Sequence, residues 1–537
     1  MKRILYVPLD ERPCNYKFPQ MALDVRKDME MVVPEPALLG KKKQPGDIDG
    51  LWEFVNRESL GCDAAVLSAE MLFYGGLLPS RLHHLPESWK AECIDRVRSL
   101  KRRRPQLKLY LFQLIMRTPR YSSSEEEPDY YGEYGERIFR RSYLMDKGER
   151  SGLDREEAGE LCRIEKEIPE PFIEDYEQRR AFNLHLNRLV LELVEEGTID
   201  FLCIPQDDSC EYGYTARDQK VITGEIRQRR LQRKVLMYPG ADEAGCTLTA
   251  RAAAELMGMK PGIFAFYAST MAPGLIPLYE DRCMAESLKA HVMAAGGRLV
   301  GSPDEADFIL AINSPGRVME ESAVQNEADI TYTSFRSLPW FTAQIAEYIR
   351  QGKQVLAADC AYANGGDLEF LELLHMDGVL DRLAAYAGWN THCNTLGTVL
   401  AQGILMAGGE ISQTALQANL IYHILDGGFY QAVVRRKMAD SFWDSDLSYF
   451  DLKDKQNEVV KREEEWLREC WNGLTDCSFR NVSEVNFQVS HPWNRMFEIG
   501  IELTVNSKVE EITFDITAEN GRIMEEEKER VRFLERG

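Results

Sequence analysis

An α/β protein built on parallel strands is what the sequence predicts, and three observations predict it. Over roughly the first 270 residues, short β-rich runs alternate with longer helical stretches, the rhythm of βα units feeding a parallel sheet. Five apolar runs lead straight into acidic residues: Ile4–Leu9 into Asp10-Glu11-Arg12, Ala64–Ser68 into Glu70, Phe201–Pro205 into Asp207-Asp208, Val235–Tyr238 into Asp242-Glu243, and Val355–Ala358 into Asp359. The last ~55 residues alternate apolar and polar instead, as antiparallel strands do.

Taken in order, strands are expected at 3–9, 30–33, 63–69, 107–116, 199–205, 234–239 and 262–268. Between the fourth and fifth no apolar strand pattern occurs. That gap holds Ser122-Ser123-Ser124-Glu125-Glu126-Glu127, read as an exposed loop, and then charged helical stretches near 131–148, 153–167 and 171–196, an insertion of the kind that shapes a site. A second βα rhythm follows: a helix near 281–295 ending at Gly296-Gly297, strands at Arg298–Val300 and Phe308–Ile312, a helix near 339–351, and the strand Val355–Ala358. Residues 449–472 read as one charged amphipathic helix, and Val485–Val489, Phe497–Val505 and Glu511–Ile516 as strands. The expected organisation is a parallel-sheet (β/α) barrel-like main domain over 1–260 with a helical insertion at 120–198. A smaller doubly wound α/β module over 261–390 completes the site, followed by a helical region over 391–480 and a C-terminal antiparallel β element over 481–537.

Composition narrows the function classes. A net charge of −22 over 537 residues argues against a nucleic-acid partner, which needs a basic footprint. The one compact basic run, Lys101–Arg104, reads as a helix end, where cations favour the dipole. No stretch approaches ~20 uninterrupted apolar residues, and the first residues lack the blocks of a signal peptide, so no membrane partner is expected. Twelve cysteines without a C-x-x-C pair fit reduced thiols in a cytoplasm and speak against a structural zinc site.

Carboxylates at successive strand ends gather along one rim of a parallel sheet, where ligands of such folds bind. Pro205-Gln206-Asp207-Asp208-Ser209 is the sharpest candidate. Adjacent carboxylates leaving a strand point apart and repel, which separates their proton affinities as acid/base work requires; the alternative is a turn cap and an arginine pair. Asp10, Glu11 and Arg12 end the first strand, stopped by Pro13, and Asp242 and Glu243 end the sixth, where Asp242 could equally cap the next helix. Tyr74 beside Gly75-Gly76, and Arg81 and Arg117 just past strands, are candidate contacts to substrate oxygens, with rim ion pairs as the alternative. Asn364, Asp367, Asn390 and Asn394 add amides and a carboxyl. Asn390 and Asn394, four apart beside Trp389, would share a helical face that suits a sugar, unless Thr391 caps the helix and Trp389 is core.

At these residues the chain resembles the bacterial family known as domain of unknown function 4127. The signatures are Val7–Pro13, Tyr74–Leu77 with Ser80-Arg81, Pro205–Asp208, Gly240–Glu243, Asn364–Asp367, and Gly388–Thr391 with Asn394–Gly397; Glu70 departs from them, since an aspartate is expected there. The resemblance implies no activity. The adjacent aspartates look like those of barrel glycosidases that cleave N-acetylhexosamines with help from the substrate's acetamido group, an exception to the two-carboxylate nucleophile scheme. The expected function is therefore a cytoplasmic carbohydrate-active hydrolase on a small-molecule or oligosaccharide substrate, with Asp207 and Asp208 as polariser and general acid/base in either order, and no cofactor. The alternatives are a Mg²⁺- or Mn²⁺-dependent isomerase, lyase or phosphohydrolase, and a sugar-binding protein without turnover.

Overall fold

The computed structural model describes residues 1–442 and 447–507. The expected strand at Glu511–Ile516 lies outside them. Six parallel strands form the main sheet: β1 (Lys2–Val7), β2 (Met29–Val32), β3 (Ala64–Ser68), β4 (Lys108–Phe112), β5 (Phe201–Gln206) and β6 (Val235–Pro239). They pair in the order β2-β1-β3-β4-β5-β6. Five more form a second parallel sheet: β7 (Gly262–Tyr267), β8 (Arg298–Leu299), β9 (Phe308–Asn313), then, past the short β10 (Glu320–Glu321), β11 (Val355–Asp359), and past β12 (Tyr362–Ala363), β13 (Ala385–Ala387). Their order is β13-β11-β9-β7-β8, and β10 pairs with β12 alone. In both large sheets the first strand sits between the second and the third. This order, 2-1-3-4-5, has its switch point beside the first strand, and its ligand crevice lies at the carboxyl ends.

The strands read as continuous apolar runs because both faces of the main sheet are buried. Side chains alternate along β1: Ile4 and Tyr6 join one apolar core, Leu5 and Val7 the other. β3 splits the same way, with Ala64 and Val66 against Ala65 and Leu67, as does β5, with Phe201 and Cys203 against Leu202 and Ile204. The first core continues through the helices Ala244–Leu256 and His392–Met406 into β7, β9 and β11. The two sheets therefore share one hydrophobic interior.

The insertion after β4 forms the helices Tyr131–Arg150, Arg155–Glu167 and Glu170–Glu195, at the expected positions. Asp154 starts the second with a capping box to Glu157. The basic run ends the helix Ser88–Arg103 as expected. The charged amphipathic helix is shorter than its sequence pattern, Gln456–Asn472. β14 (Val482–Ser490) and β15 (Gly500–Ser507) then pair antiparallel. One segment goes against helical expectation: Ile424–Val434 is wound as a π-helix, a form that recurs near functional sites. It packs Gly427 so closely on Gly388 that a Cβ there would meet the Gly388 carbonyl oxygen at 2.5 Å.

Buried carboxyls give the fold a defined pH response. Burial pushes Glu70 up to about 8, Asp359 and Asp426 to about 7, and Asp242 to about 6. A carboxyl whose folded value is raised holds a proton that the unfolded chain has released, so its contribution is complete below the unfolded value near 4 and lost as pH climbs through the folded one. Glu126 acts in the opposite sense. Burial alone would raise it, but Arg495, Arg117 and Arg81 hold it well below the usual range, so its contribution is lost only in acid. Thermal unfolding should accordingly show a melting temperature that declines from pH 5 to pH 8. In Asp426→Asn the decline should be shallower, and an unchanged slope would remove Asp426 from the account.

Candidate active site

The carboxyl ends of both parallel sheets open onto one cavity of about 250 Å³. The main sheet contributes Arg12 after β1, Gln206, Asp207 and Asp208 at the end of β5, and Asp242 after β6. The second contributes Tyr279 and Glu280 from the loop after β7, Asn364 after β12, and Asn390 after β13. Arg81, Arg117, Tyr121, Glu126 and Asn394 complete the polar wall; Tyr449, Phe450, Arg495 and Phe497 close it from the C-terminal region.

Two arginine-centred networks organise this wall. Arg12 donates from Nη2 to Asp10 Oδ2 at 2.7 Å and to Asp242 Oδ1 at 2.6 Å. Asn15 Nδ2 donates to the same two carboxylates, both at 2.9 Å. One guanidinium thus ties the ends of β1 and β6. Its planar fork suits two acceptors at once, which a lysine could not match. Burial pushes Asp242 up to about 6 against the pull of Arg12, with Asp10 adding repulsion.

In the second network Arg81 Nη2 donates to Asp207 Oδ2 at 2.7 Å, and Arg117 Nη1 to Asp208 Oδ2 at 3.2 Å. The two arginines also share Glu126 and Glu127: Arg117 reaches them at 2.7 and 2.8 Å, Arg81 at 3.2 and 3.4 Å. Arg495 pairs with Glu126 from the far side. Burial raises Asp207 above the ordinary aspartate value against the attraction of Arg117, and Asp208 beside it pushes the same way. Burial thus disposes Asp207 to keep a proton.

The indole of Trp493 meets two guanidiniums, with its ring centre 4.7 Å from Arg12 and 4.4 Å from Arg495. Its Nε1 donates to Glu11 Oε1 at 2.6 Å. Backbone strain concentrates here as well. Of ten non-glycine residues with positive φ among the described residues, Asp208 (46°), Tyr279 (67°), Asn364 (60°) and Asn390 (50°) line the cavity, and such outliers persist where surrounding contacts over-determine them. The π-helix supports two of these turns: Gln431 Oε1 accepts from the Asn390 N–H at 3.5 Å, and Arg435, directly after it, donates to the Asn364 carbonyl at 2.7 Å. Asn364 Oδ1 and Asn394 Oδ1 have no partner within the protein.

Nine of the sequence candidates line the cavity together: Arg12, Arg81, Arg117, Asp207, Asp208, Asp242, Asn364, Asn390 and Asn394. The others do not line it. Asp10 lies behind Arg12, and Glu11 accepts from Trp493 and from the Lys42 N–H at 2.7 Å. Glu243 is fully buried, accepting from the Ala241 N–H at 2.9 Å and facing His291. The Cβ of any residue other than glycine at 240 would stand 2.0 Å from its carboxylate. Asp359 accepts from Asn313, Tyr386 and the Asp367 N–H, while Asp367 pairs with Arg336 at 2.7 Å and caps a helix; both brace the second sheet. Trp389 is core, its Nε1 on Thr398 and its ring edge-on to Phe18. Thr391 caps the helix His392–Met406, so Asn390 precedes that helix in a left-handed turn and does not share a helical face with Asn394. Tyr74 lies beneath Arg81 beside a smaller chamber.

Sequence reasoning missed Glu126, Glu280, Arg495 and the aromatic wall. The Ser-Ser-Ser-Glu-Glu-Glu run read as exposed, yet Glu127 is 1% exposed because three buried arginines draw the acidic end inward. Glu280 accepts from the Cys393 N–H at 2.9 Å and the Ser287 hydroxyl at 3.1 Å, and faces His392 Nδ1 at 3.2 Å. Glu280, His392 and Cys393 each bring a donor atom within 4.8 Å of the others, but this mixed set is unlike the all-oxygen shell that Mg²⁺ or Mn²⁺ prefers. On the rim, arginine nitrogens already lie against Asp207, Asp208, Asp242 and Glu126, where a divalent ion would have to compete.

Residues 4–502 match the family described as "Protein of unknown function (DUF4127)". No curated protein matches the chain.

Proposed function

Because the chain belongs to the DUF4127 family, whose description carries no activity, we propose a function from the site itself: hydrolysis of a glycosidic bond, with an N-acetylhexosamine-type sugar as the substrate class. The observation that carries this reading is the adjacent pair Asp207-Asp208 on the wall of this cavity, each held by a different arginine. Asp207, raised by burial, is the general acid that protonates the leaving oxygen and afterwards the base that receives a proton from water. Asp208, held by Arg117 on a left-handed backbone, is the carboxylate that orients an acetamido N–H for attack on the anomeric carbon. The amide residues Asn364, Asn390 and Asn394 on the cavity wall suit sugar hydroxyls, and Tyr121, Tyr279 and Phe497 offer apolar faces.

A panel of aryl glycosides tests the reading. The purified protein should release aryl alcohol from an N-acetylhexosaminide and much less from the matching hexoside without the acetamide. Since the rim carboxylates are paired with arginines, EDTA should leave this turnover unchanged. Inactivity across the whole panel would sink the proposal, and loss of turnover on chelation, restored by Mn²⁺, would replace it with metal chemistry.

A further inference from the structure

Three donor atoms of different kinds converge behind the cavity wall. Glu280, from the loop after β7, stands against His392 and Cys393, the first two residues of the helix His392–Met406. Glu280 is 5%, His392 1% and Cys393 0% exposed, and of the three only Glu280 lines the cavity. Glu280 Oε1 is 3.2 Å from His392 Nδ1, which is 3.9 Å from Cys393 Sγ. All three donor atoms lie within 4.8 Å of one another.

These spacings suit one metal in particular. A tetrahedral Zn²⁺ with ordinary bond lengths holds oxygen and nitrogen ligands about 3.3 Å apart, and nitrogen and sulfur ligands about 3.6 Å apart. The first two distances fall close to those edges. Thiolate and imidazole together select zinc over Mg²⁺ or Mn²⁺. One carboxylate, one thiolate and one neutral imidazole also balance a divalent charge, as a buried ion requires.

The surroundings brace the set as ligands are usually braced. Glu280 Oε1 accepts from the Cys393 N–H at 2.9 Å and Oε2 from the Ser287 hydroxyl at 3.1 Å. Burial pushes the Cys393 thiol well above its ordinary value, so ionising it takes a cation, helped by the N-terminus of its 15-residue helix. The fourth position is left to a water or to the Ser287 hydroxyl.

We propose that Glu280, His392 and Cys393 form a zinc site, and that the ion fastens the loop after β7 to the start of the helix His392–Met406. Both pieces carry cavity wall: Tyr279 and Glu280 on the loop, Asn390, Thr391 and Asn394 at the helix start. On binding, the Cys393 thiol proton leaves to solvent and His392 ligates through Nδ1 of the neutral ring. The role is structural and independent of the glycosidase reading. Ligands this buried release an ion only on local opening, so brief EDTA treatment of the native protein should leave it bound.

Metal analysis of the full chain, expressed without a histidine tag, tests this. The wild type should carry about one zinc per chain or, if purified without metal, take up about one from a competing chromophoric chelator. Co²⁺ in its place should give a thiolate-to-cobalt charge-transfer band. Cys393→Ser and His392→Gln should each lose most of the zinc, and Cys393→Ser the band. His375→Ala, in the separate cluster of His375, Asp476 and Cys477, should lose none. A wild type that neither holds nor takes up zinc overturns the proposal, as does zinc that persists in Cys393→Ser or leaves in His375→Ala. Should Cys393→Ser not fold, the cobalt spectrum of Cys477→Ser, which changes an exposed cysteine, decides instead: the band should remain, and bound cobalt without it overturns the site.

Discussion

Replacing Arg12 by alanine should destabilise the protein by about 3–5 kcal/mol, the loss expected when one partner of a buried ion pair is removed. Arg12 is 4%, Asp10 2% and Asp242 6% exposed, so the guanidinium offsets the cost of two buried carboxylates. Asp10 would keep Asn15 and the backbone N–H of residue 12, Asp242 would keep Asn15 and Asn390, and Trp493 would lose one of its two guanidinium contacts. The destabilisation should shrink in the triple variant Arg12→Met with Asp10→Asn and Asp242→Asn, which removes the stranded charges along with the arginine. Urea unfolding of the three proteins measures this. A midpoint for Arg12→Ala equal to the wild type would show that the arginine network does not hold the ends of β1 and β6 together.

Asp207→Asn should lower kcat by about 10²–10⁴-fold, the usual range for a lost general acid, with KM nearly unchanged. Asparagine keeps the shape of the side chain and an oxygen that can accept from Arg81, so the fold should be unaffected. The defect should depend on the leaving group: aryl alcohols of low pKa depart without protonation, and the loss on them should be smaller than on alkyl glycosides. A loss of the same size on every leaving group would assign Asp207 a binding role. Asp208→Asn should behave differently, losing turnover on acetamido sugars irrespective of the leaving group.

The parts of the fold that were legible in the sequence are those with a strict local requirement. Strands buried on both faces need uninterrupted apolar runs, and β1, β3, β5, β6 and β11 announced themselves that way, with their acidic ends marking the rim. The helical insertion was equally readable from its length and charge. What failed depended on partners distant in the chain. Trp493 reaches Glu11 across 482 positions and Arg495 reaches Glu126 across 369, and no local pattern encodes either contact. Asp359 and Asp367 looked like rim residues because they follow a strand as Asp207 does; their acceptor atoms are instead consumed by Asn313, Tyr386 and Arg336. Asn390 and Asn394 reached the cavity by a route other than the helical face first assigned to them, since Thr391 starts the helix one residue too late to include Asn390.

The central claim is that Asp207 protonates a glycosidic oxygen in this cavity, and a crystal structure of Asp207→Asn with an intact aryl N-acetylhexosaminide tests it most directly. The glycosidic oxygen should lie about 2.6–3.2 Å from the side chain at position 207, with the acetamido N–H on Asp208 and the sugar between Asn364 and Asn394. A sugar bound outside the cavity, or one inside it whose glycosidic oxygen faces away from position 207, would contradict the account.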